Sequence, residues 1–165
     1  MQIMPLAGRR ATLFLAPLNE AMAEFSIDTP LRQASFLAQV GHESGQLRYV
    51  RELASGAAYE GRADLGNVIA GDGVRFKGRG LLQVTGRANY AACGVALGQD
   101  LLAAPQLLEQ TAFACRSAGW FWQSRGLNRL ADAGDQERVT RRINGGVNGL
   151  AERLALYQAA RKVLA

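Results

Sequence analysis

The segment from Pro30 to about Ser44 constrains this chain most, because it is predicted to be a helix that is apolar around most of its circumference. Thr29 is a favourable N-cap, and Pro30 suits the first helical position. Five polar residues of the segment fall within roughly 100° of arc. They are Arg32, Ser35, Gln39, His42 and Glu43. Such a helix must be mostly buried, with one narrow polar stripe.

The remaining periodic segments also predict helices. Apolar residues recur at three- and four-residue spacing from Arg10 to Glu24, and helical patterns resume after Arg87. A chain of 165 residues can bury a sizeable core without disulfides or a structural metal, so residues 1–165 are expected to form one domain. Further helices are predicted over 105–123, 136–143 and 150–164, the last with Leu150, Leu154, Tyr157 and Leu164 on one face.

The centre of the chain, residues 45–80, has a different character. It holds many glycines and little periodicity, which is typical of long loops, and long loops inside a compact domain are usually functional. Residues 81–85 predict a short strand or extended run, and residues 143–149 a tight glycine-rich loop. The fold class is therefore mainly α, a helical domain with a Gly-rich loop region and at most a small β element.

Composition excludes several functions and favours one kind of partner. The 19 basic against 14 acidic residues give a net charge of +5 and favour an anionic partner. No nucleic-acid-binding motif is present, and Cys93 and Cys115 are expected to be small buried thiols. The N-terminus does not resemble a signal peptide, and no apolar stretch approaches 18 residues. Synthesis in the cytoplasm is therefore expected.

Glu43 is the strongest candidate for chemistry. It ends the polar stripe, where partial desolvation and the negative end of the helix dipole favour a protonated carboxyl near neutrality. A carboxylic acid in that state can act as a general acid. A salt-bridged glutamate at a helix end is the structural alternative.

Other chemistries are poorly supported. His42 is the only histidine, so a zinc-binding histidine pair is impossible, no metal or cofactor is expected, and no nucleophile elbow occurs. Paired carboxylates remain, as in glycoside hydrolysis, where the two groups lie roughly 6.5–9.5 Å apart in inverting enzymes and about 5–5.5 Å apart in retaining ones. The residues alone do not choose the second carboxylate from four candidates in the loops, Glu52, Glu60, Asp64 and Asp72. A polar set is predicted to form a substrate wall: Gln83, Thr85, Asn89 and Tyr90.

Three motifs in order resemble the chitinase-like glycoside hydrolases of family nineteen, and particularly their bacteriophage endolysin branch. The segment 36–45, Phe-Leu-Ala-Gln-Val-Gly-His-Glu-Ser-Gly, is similar to the one that carries the family's general acid. The segment 76–90 resembles its Gly-Arg-Gly-x-x-Gln signature followed by Asn-Tyr, and 143–146 its Ile-Asn-Gly-Gly loop. The resemblance covers about residue 10 to the C-terminus.

The resemblance implies a role for each matching residue. Glu43 is the general acid and Glu52 the base, with Glu60 as the alternative base. Thr85 helps to hold the attacking water, and Arg153 orients the base. An acidic residue of the plant enzymes is replaced by Asn148, which affects the network around Arg153. Substrate contacts are assigned to His42, Gln83, Asn89, Tyr90 and Asn144, with His42 more an orienting or packing residue than a catalyst.

The function expected from this resemblance is an inverting endolysin. It would cut the β-1,4 bond between the amino sugars of peptidoglycan as a single lysozyme-like domain, with two lobes around a cleft and no separate wall-binding domain. It would act as a monomer on the wall after release from the host cytoplasm, with weak contact to anionic envelope polymers or membrane. The alternatives are a small chitinase, a lytic transglycosylase, a cationic membrane-perturbing protein and a catalytically inactive sugar-binding relative.

Overall fold

A computed structural model describes residues 2–165, and helices dominate it. Within that range the longer helices are α1 (Arg10–Glu24), α2 (Pro30–Glu43), α4 (Arg87–Leu97), α5 (Thr111–Ser124), α7 (Gln136–Asn144) and α8 (Leu150–Leu164). The shorter ones are α3 (Asp72–Arg75) and α6 (Leu127–Asp132). Short 3-10 turns cover Pro5–Ala7, Ala57–Tyr59, Ala63–Leu65 and Pro105–Glu109. The mainly helical fold class predicted from the sequence is confirmed.

The apolar core forms around α2. This helix packs along α8, and α1 packs along α5. Phe36 of α2 meets Trp122 of α5 edge to face with ring centroids 5.4 Å apart, and both side chains are fully buried. As predicted, Thr29 caps α2: its side chain accepts a hydrogen bond from the Arg32 amide. The core therefore fixes the direction in which the last turn of α2 points.

The polar stripe of α2 is a buried seam over most of its length, which the sequence pattern did not indicate. Ser35 and Gln39 are fully buried. The Ser35 hydroxyl donates to Gln136 at 2.8 Å, and the Gln39 amide donates to Thr140 at 3.2 Å. Because both acceptors lie on α7, the stripe joins two helices by paired polar groups. Its two ends are partly exposed, Arg32 at the first turn and His42 and Glu43 at the last.

The buried face of α8 differs from the predicted one. Leu154 is 38% exposed, whereas Leu156, Tyr157 and Ala160 are buried. Arg153 is also buried, with 1% of its surface exposed. Arg153 has to face α2, and this sets the rotation of α8 about its axis. The buried face therefore differs from the one predicted from the leucine positions.

The glycine-rich centre folds into loops, as predicted. The expected strand at 81–85 is wrong: this run is mostly a turn, and in the described residues its only ladder contact is a single bridge between Arg79 and Val84. Gly80 and Gln83 both have positive φ, which breaks the extended conformation. A second bridge joins Arg51 to Arg79, so three short segments lie side by side. This is the small β element that was expected.

The two cysteines are free and buried, as predicted. Burial raises the pKa of each thiol to about 12, so both are protonated at neutral pH. Within residues 2–165 no helix is long and apolar enough to cross a membrane.

Candidate active site

Glu43 occupies the last position of α2, and the chain then reverses in an unusual turn. Gly45, Gln46 and Leu47 have φ values of 56°, 56° and 68°, although two of them are not glycine. The Leu47 side chain is buried, and Gln46 accepts a hydrogen bond from the Leu6 amide at 2.8 Å. The Ser44 hydroxyl accepts from the Leu47 amide at 2.8 Å. These contacts hold a strained backbone in place, as is common beside functional groups.

A buried arginine holds Glu43 from the other side. Arg153 donates from Nη2 to Glu43 Oε1 at 2.5 Å and from Nη1 to Gln39 Oε1 at 2.5 Å. Its Nε donates to the Asn148 carbonyl at 3.1 Å. The Glu43 side chain keeps 22% of its surface exposed. One carboxylate oxygen is therefore fixed, and the other is left for a partner at the surface.

This contact corrects the role expected for Arg153. The guanidinium was expected to orient the base, but it lies against Glu43, the expected acid. Its contact with residue 148 uses a backbone carbonyl, so the asparagine side chain at that position is not needed for it.

Glu52 is presented by one of the three short segments. Its amide donates to the Gly78 carbonyl at 3.0 Å, which fixes the backbone. The Tyr59 hydroxyl donates to Glu52 Oε2 at 2.9 Å. Burial raises the pKa of Tyr59, and the hydrogen bond to Glu52 raises it further, so the phenol stays a donor. Glu52 Oε1 is buried and has no hydrogen-bond partner among the described residues.

Gly78 lies where three functional side chains converge. A Cβ atom added to it would clash with Gln83 Oε1 and would lie 3.0 Å from Glu52 Oε2 and 3.2 Å from Thr85 Oγ1. The predicted base therefore shares its surroundings with Gln83 and Thr85, two of the four residues of the predicted substrate wall. Gln83 has a positive φ of 52°, a second strained residue at the same place.

Gln83 and Thr85 also line a cavity of about 210 Å³. Asn89 lies in the same wall, with its amide donating to the Thr85 carbonyl at 2.8 Å. Trp120 and Ile143 add apolar surface opposite. A cavity of amide, hydroxyl and aromatic groups suits a sugar with an N-acetyl arm.

Glu60, the alternative base, has a structural position. Its two carboxylate oxygens accept hydrogen bonds from the Gly71 and Gly73 amides at 2.7 and 2.8 Å. A carboxylate used in this way holds the start of α3. The geometry therefore favours Glu52 as the base.

Three other residues predicted to contact substrate do not line this cavity. Tyr90 is fully buried, and its hydroxyl donates to the Lys77 carbonyl at 2.6 Å. The prediction that Tyr90 contacts substrate directly is therefore wrong. His42 lies 2.7 Å from a Glu152 oxygen and packs against Gly149 of the loop before α8. Asn144 is exposed at the end of α7. For Tyr90 the reason is packing: its ring fills the core beside Phe76.

Sequence reasoning gave no role to Tyr59, Gln39 or Gly78. Tyr59 was visible only as the neighbour of Glu60, and Gln39 only as a member of the polar stripe. The signal for Gly78 was its place in a Gly-Arg-Gly run. No group of three or more potential metal-ligating side chains occurs among residues 2–165.

Comparisons with known proteins identify the family. A family profile described as chitinase class I, of glycoside hydrolase family 19, matches residues 21–133. A Haemophilus influenzae protein described as containing a family 19 glycosyl hydrolase domain is 35% identical, over 78% of each chain. An Arabidopsis thaliana endochitinase is 36% identical over 68% of this chain but only 39% of its own length. The present chain therefore aligns with less than half of that plant protein.

Solved structures show the same fold. A bacterial family 19 chitinase superposes with a TM-score of 0.75 at 26% identity, covering 91% of this chain and 85% of its own. Chitinase C from Streptomyces griseus gives 0.73 at 28% identity, covering 90% and 68%. The profile spans more than half of the chain and the Haemophilus relative most of it. This chain belongs to glycoside hydrolase family 19 and is a hydrolase of glycosidic bonds.

Proposed function

We propose that this chain is an endolysin that hydrolyses the β-1,4 bond between the amino sugars of bacterial peptidoglycan, with inversion at the anomeric carbon. The observation that carries the catalytic part is the Glu52 carboxylate: its Oε2 shares the surroundings of Gly78 with Gln83 and Thr85, and its buried Oε1 has no hydrogen-bond partner in residues 2–165. A buried carboxylate oxygen without a partner is costly, and a catalytic role is one reason for a fold to retain such a group.

Glu43 and Glu52 then have separate roles. Glu43, held through one oxygen by Arg153, gives a proton to the glycosidic oxygen from the other. Glu52 takes a proton from a water that attacks the opposite face of the sugar, and the Thr85 hydroxyl helps to orient that water. One bond to carbon breaks as the other forms, so the configuration inverts. Tyr59 keeps the Glu52 carboxylate in position.

Charge supports an acidic polymer as the substrate. The chain carries a net charge of +5, and all but two of its 19 basic residues are arginines, which bind carboxylates through paired donors. Peptidoglycan carries carboxylates on its peptide stems, and on its lactyl groups where no stem is attached, whereas chitin is neutral. In this proposal the enzyme is a monomer that reaches the wall after release from the cell that makes it.

A small chitinase is the second candidate function. The relatives described above favour it, because several carry the name chitinase or endochitinase. Both functions need the same two carboxylates, so they differ in substrate and not in mechanism.

The decisive test compares substrates. Purified protein is incubated with peptidoglycan from Gram-negative cells, with outer-membrane-permeabilised cells, and with soluble chitin oligomers, and new reducing ends are measured. Peptidoglycan cleavage with reducing ends supports the proposal. Cleavage of chitin oligomers alone identifies a chitinase, and an anhydro-sugar product identifies a lytic transglycosylase.

The same assay addresses the membrane-perturbing and sugar-binding alternatives. A membrane-active protein would clear cells without releasing reducing ends, and Glu43→Gln would leave the clearing intact. A sugar-binding relative would release no reducing ends from any substrate.

A further inference from the structure

A positively charged side chain, that of an arginine, lies in the wall of the cavity that Gln83 and Thr85 line. Arg125, the residue that follows α5, forms part of the same 210 Å³ cavity. Gln83 and Thr85 also surround Gly78 together with Glu52. A substrate that extends from the Glu52 carboxylate along this cavity therefore lies beside the Arg125 guanidinium group.

Arg125 is held in place without a carboxylate. Its guanidinium carbon stacks 3.5 Å from the centre of the Phe121 ring, and the residue is only partly exposed. No acidic side chain lies within 4.0 Å of it in residues 2–165, unlike Arg32, Arg87 and Arg153, which each have one. Its one side-chain hydrogen bond, to the Ser124 hydroxyl, is long at 3.5 Å.

The position is electrostatically unusual. Burial lowers the pKa of Arg125, yet an arginine with only this perturbation stays charged at neutral pH. A partly desolvated cation with most of its donors unused gains from an anionic partner. The stacking on Phe121 fixes the plane of the guanidinium, so its paired N–H groups are oriented before any ligand binds.

Other arginines extend the positive surface. Arg129, Arg138 and Arg142 line a neighbouring cavity of about 320 Å³. Arg142 donates to the Arg125 carbonyl at 3.1 Å, so an arginine of this cavity contacts the backbone of the first. Only Arg138 of these three has an acidic partner, Asp135, at a long 3.8 Å. The potential at this end of the site is therefore positive over both cavities.

We propose that Arg125 and its cavity form a subsite for a carboxylate-bearing substituent of the glycan, and that this subsite selects acidic amino-sugar polymers over neutral ones. The inference rests on the proposed function and adds a specificity residue to it. The carboxylate belongs either to the lactyl group of a sugar without a peptide stem or, where a stem is attached, to the stem itself. Chitin offers neither, so Arg125 would contribute nothing to its binding.

The test uses Arg125→Gln, which removes the charge, and Arg125→Lys, which keeps it but loses the paired donors. Arg9→Gln is the matched control, because Arg9 is exposed and lies outside both cavities. KM and kcat are measured on chitin oligomers, on peptide-free glycan strands with free lactyl carboxylates, on intact peptidoglycan fragments, and on fragments whose carboxylates have been amidated.

Arg125→Gln is expected to raise KM for the acidic glycans about three- to tenfold, with little change in kcat. Arg125→Lys recovers part of the loss, Arg9→Gln has no effect, and amidation of the substrate abolishes the difference between wild type and Arg125→Gln. An effect on peptide-free strands identifies the lactyl carboxylate, and an effect on intact fragments alone identifies the stem. Equal effects of Arg125→Gln on acidic and neutral glycans would overturn the inference.

Failure of the proposed function has a different signature. If wild type cuts no peptidoglycan, that function is wrong, and the subsite is then judged by binding to the Glu43→Gln variant. Tighter binding of acidic glycan than of chitin oligomers, lost on adding Arg125→Gln, supports the subsite. Equal binding refutes it.

Discussion

Gly78→Ala tests whether Glu52, Gln83 and Thr85 work together at one position. Gly78 is among the glycines whose φ is not positive, so the backbone accepts alanine and the effect is steric. The new Cβ would clash with Gln83 Oε1 and crowd Glu52 Oε2 at 3.0 Å. Gln83 Oε1 is the end of a flexible side chain and must move by about 1 Å. A misplacement of a functional group by that distance costs roughly 100-fold in rate.

The matched control is Gly94→Ala in α4. Its Cβ would lie 2.6 Å from the Gln99 carbonyl, a backbone atom in the core and away from the cavity. Overpacking of this kind destabilises by about 1–3 kcal/mol, partly offset by the better helix propensity of alanine.

Initial rates of reducing-end release and thermal unfolding are measured for both variants. Gly78→Ala is expected to lose about 10- to 100-fold in kcat with a nearly unchanged Tm, and Gly94→Ala to lower Tm with near-normal kcat in the folded protein. A Gly78→Ala variant with wild-type kcat would refute the idea that these three side chains form the catalytic surroundings.

Three further outcomes follow from contacts outside that cluster. Arg153→Met leaves two α2 acceptors without their donor and is expected to cost about 2–3 kcal/mol in denaturant unfolding, so an unchanged midpoint would contradict the buried pairing. Cys93 and Cys115 should resist a thiol reagent at pH 8 until the protein is unfolded, since burial raises the pKa of each to about 12; rapid labelling of the native protein would contradict this. Asp72, whose pKa the Arg87 guanidinium holds below its usual value, stabilises the fold above the ordinary aspartate pKa of about 4, and this is lost as pH falls through the lower folded value. Asp72→Asn should therefore flatten the acid side of the stability profile, and an unaltered profile would show that the ion pair contributes nothing.

The sequence predicted most of the longer helices because their signals are local, although the helix predicted over 105–123 divides into the 3-10 turn Pro105–Glu109 and α5. Thr29 and Pro30 mark the start of α2, and the apolar period carries it to Glu43. Positions on helix faces were less predictable, because they depend on partners distant in the chain. Leu154 is exposed because Arg153 has to reach α2, and no pattern within α8 contains that information.

The site divides in the same way. Glu43 stood out because it ends a polar stripe, whereas the choice of Glu52 over Glu60 needed the structure. The Gly71 and Gly73 amides donate hydrogen bonds to the Glu60 carboxylate, and only the folded loop brings these groups together. Tyr90 looked like a sugar-binding aromatic by its type, but its ring is core and its hydroxyl has a backbone partner. The left-handed turn at Gln46 and Leu47 has no local signal, because neither residue favours that conformation.

The rate of reducing-end release from purified peptidoglycan by wild type, Glu43→Gln and Glu52→Gln tests the two-carboxylate mechanism itself. Glu60→Gln tests the alternative base, and Glu20→Gln is the control for an exposed acid on α1. Loss of a general acid or base is expected to lower kcat at least about 100-fold in the Glu43 and Glu52 variants. Glu60→Gln should lower Tm while keeping most of kcat, and Glu20→Gln should match wild type. Near-normal kcat in a folded Glu43→Gln or Glu52→Gln variant would contradict the two-carboxylate mechanism.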